Sequence, residues 1–231
     1  MLRSLDVTTS FLASAARLGS GMRVGPLGPR PQQPVELYEF EACPFCRKVR
    51  EALSILDLDA HIKPCPKNGP RFRPEAVARG GKAQFPYLVD PNTGKEMYES
   101  DDIVRTLFER YGDGGAPVSL TAGPFTLLSA AAAGVWRPGL GARYRPARAP
   151  EQPLELYSFE ASPFCRIVRE VLCSLELPYL LRNVAKGSPR RDAFVERSGR
   201  MQVPYLVDPN SGVEMFESAD IVAYLEAHYA R

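Results

Sequence analysis

An internal repeat constrains this 231-residue chain more than any other feature. The motif Cys43-Pro-Phe-Cys46 returns as Ser162-Pro-Phe-Cys165, and the stretches around the two copies match closely. The period is longer than that of any solenoid unit, so the chain is predicted to hold one small folding module twice. The matching stretches, first copy against second, are 36–42 with 155–161, 86–92 with 204–210 and 99–103 with 217–221.

Composition is that of an ordinary soluble globular protein with one or two cores. The net charge of +2 argues against a dedicated nucleic-acid binder, which would carry a clustered basic face. The Arg-rich stretch 137–148 is expected to be a solvated connector. The five cysteines are an odd number at irregular spacing, unlike a secreted disulfide scaffold. The sequence therefore predicts a soluble intracellular protein with working thiols.

Hydrophobic periodicity predicts an α/β module with the element order βαβαββα in each copy. In the first copy a strand covers 35–40, and Pro44 then occupies the first turn of a helix, where proline is tolerated. A second strand is expected at 60–63 and a weak helix at 71–79. A hairpin follows, and Ser100 is expected to cap the closing helix.

The modules divide the chain into four predicted parts. Short leading helices near 8–19 and 123–134 would precede the two modules. Residues 118–136 are uncharged, but Gly123-Pro124 interrupts them, which favours a buried helix over a membrane span. The first thirty residues also allow a remnant transit sequence. The parts are a leading helix and connector, the first domain, a linker with a helix, and the second domain: 1–34, 35–112, 113–153 and 154–231.

Three features together resemble the thioredoxin superfamily: the element order, the Cys-Pro-Phe-Cys motif at a helix start, and an apolar–proline pair before the third strand. The glutamate–serine pairs Glu99-Ser100 and Glu217-Ser218 are similar to those of glutathione transferase N-terminal domains. The whole chain resembles the tandem thioredoxin-like proteins of plants, algae and cyanobacteria, built from two such glutaredoxin-like domains. The resemblance implies a plastid location. The helical C-terminal domain of glutathione transferases is expected to be absent.

Cys43 is predicted to be a reactive thiolate. It lies at a helix N-terminus, where unpaired N–H groups favour an anion, and Arg47 and the lysine after it add positive charge. A thiol so placed titrates at about 3.5–7.5 instead of about 8.5. Cys46 is spaced to close a disulfide, so Cys43 attacks and Cys46 resolves. The alternatives are an inert pair or half of a zinc site, but with only His61 and His228 the four ligands of structural zinc are lacking.

An apolar residue and a proline, Phe85-Pro86 and Val203-Pro204, precede the third strand of each module. Most X-Pro bonds are trans turn elements, and about 5–6% are cis. The resemblance implies cis bonds here, which would turn main-chain groups of Phe85 and Val203 toward the helix N-terminus. An extended peptide such as glutathione would bind those groups.

The glutamate–serine pairs allow two interpretations. They are suitable helix caps, and the resemblance also implies that they hold the γ-glutamyl end of glutathione. Ser100 would then bind the carboxylate and Glu99 the ammonium group, with Arg47 nearby. Glu217 and Ser218 would do the same in the second copy.

The second copy has lost its nucleophile, and three interpretations stay open. Ser162 would stabilise the sulfur of bound glutathione by a hydrogen bond, the module would bind without catalysis, or it would serve only for packing. Cys165 takes the buried resolving position, and Cys173 is expected to be a small core residue. Cys65 is either a loop-packing residue or a regulatory partner of Cys43.

The residues and the resemblance together predict a glutathione-dependent, glutaredoxin-like thiol-disulfide oxidoreductase acting through the first module. Glutathione is the expected co-substrate and protein or small-molecule disulfides are the partners; no metal, nucleic acid or membrane span is expected. Two alternatives remain: a redox-sensing scaffold that holds partner proteins, and a serine- or cysteine-type glutathione transferase. The oligomeric state is left open.

Overall fold

A computed structural model describes residues 8, 19–121 and 139–231 of the chain. The predicted leading helix of the second module, near 123–134, lies outside these residues. Almost all of the predicted leading helix of the first module, near 8–19, also lies outside them. The same holds for the part of the uncharged segment 118–136 that follows residue 121. Of the first thirty residues, which could also be a remnant transit sequence, only Thr8 and the residues from 19 onward are described.

Both modules have the predicted βαβαββα order, which confirms the fold class. The first consists of β1 (Val35–Glu39), α1 (Pro44–Ile55), β2 (Ala60–Pro64), α2 (Phe72–Gly80), β3 (Tyr87–Asp90), β4 (Lys95–Met97) and α3 (Ser100–Tyr111). A short helix α4 (Val118–Thr121) follows. The second consists of β5 (Leu154–Ser158), α5 (Pro163–Ser174), β6 (Tyr179–Asn183), α6 (Arg191–Ser198), β7 (Tyr205–Asp208), β8 (Val213–Met215) and α7 (Ser218–Tyr229). Across the described residues, every helix is too short or too polar to cross a bilayer.

Two helix ends differ from the sequence prediction. Ser100 is the first residue of α3 and not its cap, because Glu99 holds the N-cap position with φ 65° and ψ 109°. Helix α2 continues through Gly80 and ends at Gly81, whose φ of 78° is the left-handed conformation that stops a helix. The rest of the first module follows the predicted plan, with shifts of one residue.

The two modules share one eight-stranded sheet, in the order β4-β3-β1-β2-β6-β5-β7-β8. Strands β2 and β6 pair antiparallel, with His61 opposite Leu180. These two residues occupy equivalent positions in the repeat, so an approximate twofold axis passes between them. The sequence analysis did not predict this junction, since each copy carries the same strand pattern and neither marks β2 as a partner for another module.

Apolar side chains of each sheet face and its flanking helices form a core that continues through the junction. In the first module Val49, Leu53 and Leu56 are fully buried, and they pack with Ile103 and Leu107 of α3. Burying such side chains contributes roughly 25 cal/mol per Å² of apolar area. The core therefore fixes α1, and with it the start of that helix, against the sheet.

Beside the junction, the modules meet through buried charged side chains, here named the interdomain charge cluster: Glu39, Glu41, Arg50, Glu160 and Arg169. Arg50 of α1 reaches Glu160 of the second module at 3.0 Å, and Arg169 of α5 reaches Glu41 of the first at 3.1 Å. The two contacts are equivalent under the repeat. The interface is thus polar at its centre and reciprocal.

The segments that lead into the modules cross over between them. The backbone at 22–24 hydrogen-bonds Lys186 of the second module, and the backbone at 142–144 hydrogen-bonds Lys67 of the first. The described part of the Arg-rich stretch is therefore bound to both modules by its main chain, which was not predicted, while Arg143, Arg145 and Arg148 are exposed, as a solvated connector requires. A short main-chain bridge satisfies these peptide groups across the interface.

A second reciprocal contact joins the end of each long helix to the other module. Glu176, at the end of α5, accepts main-chain N–H groups of Arg71 and Phe72 at 3.1 Å and pairs with the Arg71 guanidinium at 3.3 Å. Asp57, at the end of α1, pairs with Arg190 at 3.1 Å in the same way. Glu176 thus stabilises the N-terminus of α2 from the opposite module.

We expect Glu176→Ala to lower the free energy of unfolding by about 2 kcal/mol, because it removes charge-assisted hydrogen bonds from buried main-chain donors. Thermal and urea unfolding of the full chain would measure the change, and the melting temperature should fall by roughly 4–8 °C. Glu196→Ala, at an exposed position on α6, is the matched control and should change stability little. Equal effects from both variants would contradict a capping role across the interface.

Candidate functional site

The first module presents Cys43 at the start of α1. Cys43 is the N-cap residue, and its sulfur accepts the Cys46 main-chain N–H at 3.2 Å. Hydrogen bonding from Cys46 lowers the pKa of the Cys43 thiol, against the opposing effect of burial. Only 4% of Cys43 is exposed, and one edge of its sulfur faces the Phe85 carbonyl oxygen at 4.0 Å. The arrangement favours a thiolate at this position.

Cys46 lies one helical turn further on and is fully buried. Burial raises the pKa of the Cys46 thiol well above its ordinary value. Both cysteines are free thiols in the structure. The pKa of the two sulfurs therefore moves in opposite directions, as an attacking and a resolving thiol require.

The two predicted cis-prolines are confirmed: Phe85-Pro86 and Val203-Pro204 are both cis peptides. The first brings the Phe85 carbonyl beside Cys43. Main-chain groups of the residue before the proline are thereby placed next to the thiol, where an extended peptide would pair with them.

The glutamate–serine pair keeps a defined geometry in both modules. Glu99 has φ 65° and accepts the Gln84 side-chain amide at 2.6 Å, while Ser100 is buried at the start of α3. In the second module Glu217 has φ 66° and accepts from Gln202 at 2.5 Å. The two glutamines were missed by the sequence analysis, although they stand at matching positions just before each cis-proline.

Arg47 lies away from the position that the sequence prediction gave it. Its side chain is buried in the interface, with Nε 3.2 Å from Glu51 and 3.8 Å from Glu160. Lys48 is ion-paired with Asp101 of α3. The guanidinium that favours the Cys43 thiolate is instead that of Arg50, whose charge helps to lower the pKa of the thiol. The spacing along the helix misled the prediction because the second module supplies partners for this face.

Arg73 is a further cation near the thiol that the sequence analysis missed. Its guanidinium lies 4.8 Å from the Phe85 ring centroid and 5.7 Å from that of Phe40. Its Nε donates to the carbonyl oxygens of Cys65 and Pro66 at 3.0 and 2.7 Å. These contacts hold a positive charge over the aromatic residues that flank the thiol, and a nearby substrate carboxylate would complement it.

The second module keeps the backbone of this site but changes its chemistry. Ser162 is the N-cap of α5, and its hydroxyl accepts the Cys165 N–H at 3.3 Å, as the Cys43 sulfur does in the first module. Cys165 is fully buried, and burial raises its pKa. Ser218 opens α7 as Ser100 opens α3. A ligand would meet a hydroxyl here where the first module offers a thiol.

The cation beside the second site makes the same main-chain contacts as Arg73 but lacks its aromatic partner. Arg191, at the position of Arg73, donates Nε and Nη2 to the Val184 carbonyl at 3.2 and 3.1 Å, and Nε also donates to Ala185. Val203 replaces Phe85, so the aromatic ring that the first guanidinium covers is missing from this position. The two modules therefore differ at the nucleophile and at the aromatic ring beside the neighbouring cation.

The two remaining cysteines are buried. Burial raises the pKa of Cys65, whose thiol donates to the Lys63 carbonyl at 3.4 Å. Cys173 is buried as predicted, but it packs in the interface and not inside its own module: its sulfur accepts the Glu41 N–H at 3.4 Å. Within the described ranges, no group of three or more histidine, cysteine, aspartate or glutamate side chains is arranged so that it could hold a metal ion.

The likeness of the two N-caps gives a direct test of the second site. We expect the thiol introduced by Ser162→Cys to react with iodoacetamide at pH 7, because it would accept the same main-chain N–H that Cys43 accepts. Ser211→Cys, in an exposed turn, is the control with an ordinary thiol. Peptide mass spectrometry would give both rates. A slower reaction at position 162 than at 211 at pH 7 would show that the second site does not activate sulfur.

Comparison with known proteins gives matches that are all described as glutathione transferases. The model of the family described as "Glutathione S-transferase, N-terminal domain" matches residues 37–116 and 156–231, which together exceed half of the chain. The glutathione S-transferase-like protein OpS6 of Beauveria bassiana is 30% identical over 78 residues, which are 34% of this chain and 36% of that protein. The chain therefore aligns with about a third of that relative's length.

Two solved structures are similar in part. Bombyx mori glutathione transferase BmGSTD1 is 30% identical, with coverage of 37% of this chain and 39% of its own and a TM-score of 0.34. Leishmania TDR1, a trimeric glutathione transferase, is 15% identical over 87% of this chain and 68% of its own, with a TM-score of 0.31. The two matched stretches of the family model coincide with the two modules described above. The chain belongs to the glutathione S-transferase N-terminal domain family, whose domain it carries twice.

Proposed function

We propose that the chain is a glutathione-dependent thiol-disulfide oxidoreductase that works through Cys43 and Cys46. The observation that carries the proposal is the Cys43 sulfur, which accepts a main-chain N–H at a helix N-terminus and faces the carbonyl before a cis-proline. A lowered pKa of Cys43 and a raised pKa of Cys46 support the division of roles. Family membership supports glutathione as the thiol substrate.

The reaction starts with attack of the Cys43 thiolate on the glutathione sulfur of a mixed disulfide. The old S–S bond breaks, and its electron pair leaves with the substrate sulfur, which takes a proton from water. The thiolate of a second glutathione then attacks the glutathione sulfur of the Cys43–glutathione disulfide, and the electron pair of the broken S–S bond stays on Cys43. This step yields oxidised glutathione and restores the Cys43 thiolate. In the alternative branch Cys46 loses its proton and attacks Cys43, which releases glutathione and leaves an intramolecular disulfide.

Residues around the thiol would hold glutathione by its polar ends. The Phe85 main chain would pair with the cysteinyl unit, and Glu99 with Ser100 would hold the α-ammonium and α-carboxylate of the γ-glutamyl end. We add Arg73 to this set, because its guanidinium lies over Phe85 and would bind the remaining carboxylate. Arg47 is left out, since its charge is engaged in the interface.

The second module would bind glutathione without forming a covalent bond. Its cis-proline and the Gln202–Glu217 contact repeat the first site, which favours binding over a purely structural role. Ser162 would hydrogen-bond the sulfur. The plastid location and the plant or algal type stay part of this proposal, because they rest on the resemblance alone. Imaging of the full chain fused to a fluorescent protein would test the location.

Replacing each thiol separately tests the proposed cycle. We expect Cys43→Ser to abolish reduction of the mixed disulfide between glutathione and a small thiol, because the attacking sulfur is lost. Cys46→Ser should keep most of the activity, since a second glutathione completes the cycle without it. Turnover coupled to glutathione reductase would measure both.

Other outcomes identify the competing functions. Equal loss in both variants would indicate a thioredoxin-like dithiol cycle. An inactive wild type would favour the redox-sensing scaffold, and conjugation of a generic electrophile that survives Cys43→Ser would favour a serine-type transferase in the second module.

Replacement of the site arginine tests the binding pose. We expect Arg73→Gln to raise the KM for glutathione about tenfold or more, since one charge-assisted contact is worth about 1.5–3 kcal/mol. The kcat should change less, because the thiol is untouched. Arg191→Gln is the matched control at the equivalent position of the second module. Similar KM changes in the two variants would remove Arg73 from the binding site.

A further inference from the structure

The interdomain charge cluster lacks electrical balance. Among the described residues it joins three carboxylates, Glu39, Glu41 and Glu160, to two guanidiniums, Arg50 and Arg169. Arg47 also lies 3.8 Å from Glu160, but it pairs with Glu51 at 3.2 Å, so this pair adds one charge of each sign and leaves the excess of one carboxylate unchanged. All five side chains are at least 97% buried. An unpaired ionised carboxylate in such a place is very costly, and the usual response is that one group takes up a proton.

Contacts identify the group that carries the proton. Glu41 contacts both guanidiniums, that of Arg50 at 3.3 Å and that of Arg169 at 3.1 Å. Glu160 also contacts both, Arg50 at 3.0 Å and Arg169 at 2.9 Å. Glu39, by contrast, is ion-paired with Arg50 and, within the described part of the chain, forms no ion pair with Arg169. Burial raises the pKa of Glu39 to about 7. Although burial opposes it, the guanidiniums of Arg169 and Arg50 lower the pKa of Glu160 to about 2.

Glu39 ends the strand that leads to Cys43, and its charge acts on the thiols around it. An ionised Glu39 raises the pKa of both Cys43 and Cys46. The second module has Ser158 at this position, so the carboxylate and the nucleophile are both missing there. The charged or titratable groups that face Glu39 come from both modules: Arg50, Glu41, Cys43, Cys46 and Cys65 from the first, and Glu160, Arg169, Cys173 and Tyr179 from the second.

We propose that Glu39 is a positioning residue that holds the surplus proton of the cluster. We further propose that the second module, through Glu160, sets whether Glu39 is charged and so how readily Cys43 becomes a thiolate. The inference deepens the proposed function, on which it rests for the use of that thiolate. It gives the module without a nucleophile a definite effect on the module that has one.

The proposal predicts opposite effects from two variants that each remove one carboxylate. Glu39→Gln removes the charge that opposes the thiolate, so the Cys43 titration should move to lower pH. Glu160→Gln leaves two carboxylates for two guanidiniums. Glu39 then gains a larger share of Arg50, ionises below neutral pH, and moves the Cys43 titration to higher pH. If each variant acted only by removing one negative charge, both would move the Cys43 titration to lower pH.

The test is the pH dependence of Cys43 alkylation by iodoacetamide in the full chain, followed by peptide mass spectrometry. We expect midpoints displaced by about half a pH unit in opposite directions, which is about threefold in thiolate at a fixed pH below the midpoint. The wild-type profile should be broader than a one-proton curve and should become a one-proton curve in Glu39→Gln. Glu214→Gln, which removes a surface carboxylate of the second module, is the control and should leave the profile unchanged.

Two additions keep the test decisive. Glu39→Ser, which introduces the residue found at position 158, should behave as Glu39→Gln if the latter folds poorly. A ¹³C titration of glutamate carboxylates should show one wild-type resonance with a midpoint near 7, and Glu160→Gln should move it to lower pH. The proposal would be overturned if Glu39→Gln and Glu160→Gln moved the alkylation midpoint in the same direction. It would also be overturned if the profiles of the wild type and of these two variants coincided. Because alkylation needs no turnover, absence of oxidoreductase activity would count against the proposed function alone.

Discussion

The reciprocal pairing of Arg50 with Glu160 and of Arg169 with Glu41 determines how the two modules meet. Desolvation of each buried charge costs several kcal/mol, and it is offset only when every partner is in place. A slight rotation of one module would leave uncompensated charges in the interface. The pairs therefore add little net stability but select one arrangement, and that arrangement aligns β2 with β6 in a single sheet.

This alignment has consequences at the thiol. The helix that carries Cys43 at its first turn carries Arg50 two turns later, so its interface side is set by the second module. Arg47 lies on that side and is engaged there, which leaves the helix N-terminus and the Cys46 N–H as the immediate stabilisers of the thiolate. The chemistry of the site thus depends on backbone geometry within the module and on charge supplied across the interface.

The features that the sequence predicts correctly are mainly those that depend on contacts between residues close together in the chain. The helix start at Cys43 and the module order depend on neighbouring residues and were predicted from them, whereas the cis-prolines were implied by the family resemblance. The role given to Arg47 and the cap given to Ser100 were wrong, and the main-chain contacts of the connector around Arg143 were not predicted. Arg47 contacts Glu160, 113 residues away, and the connector contacts Lys67, 75 to 77 residues away; periodicity cannot reveal either partner. Gln84 and Arg73 were missed because their contacts, with Glu99 and with the Phe85 ring, join residues that are 15 and 12 positions apart in the sequence.

The sheet junction explains why a module without a nucleophile still matters physically. In a single module β2 would be an edge strand with unpaired main-chain groups, open to pairing with other chains. Here β6 covers it, and the free edges that remain are β4 and β8, which have three residues each and include charged side chains such as Lys95 and Glu214. Ser162 cannot attack a disulfide, yet its module closes the first module's edge and completes the charge cluster behind Cys43. Loss of reactivity in the second site therefore left the interface contribution of that module intact.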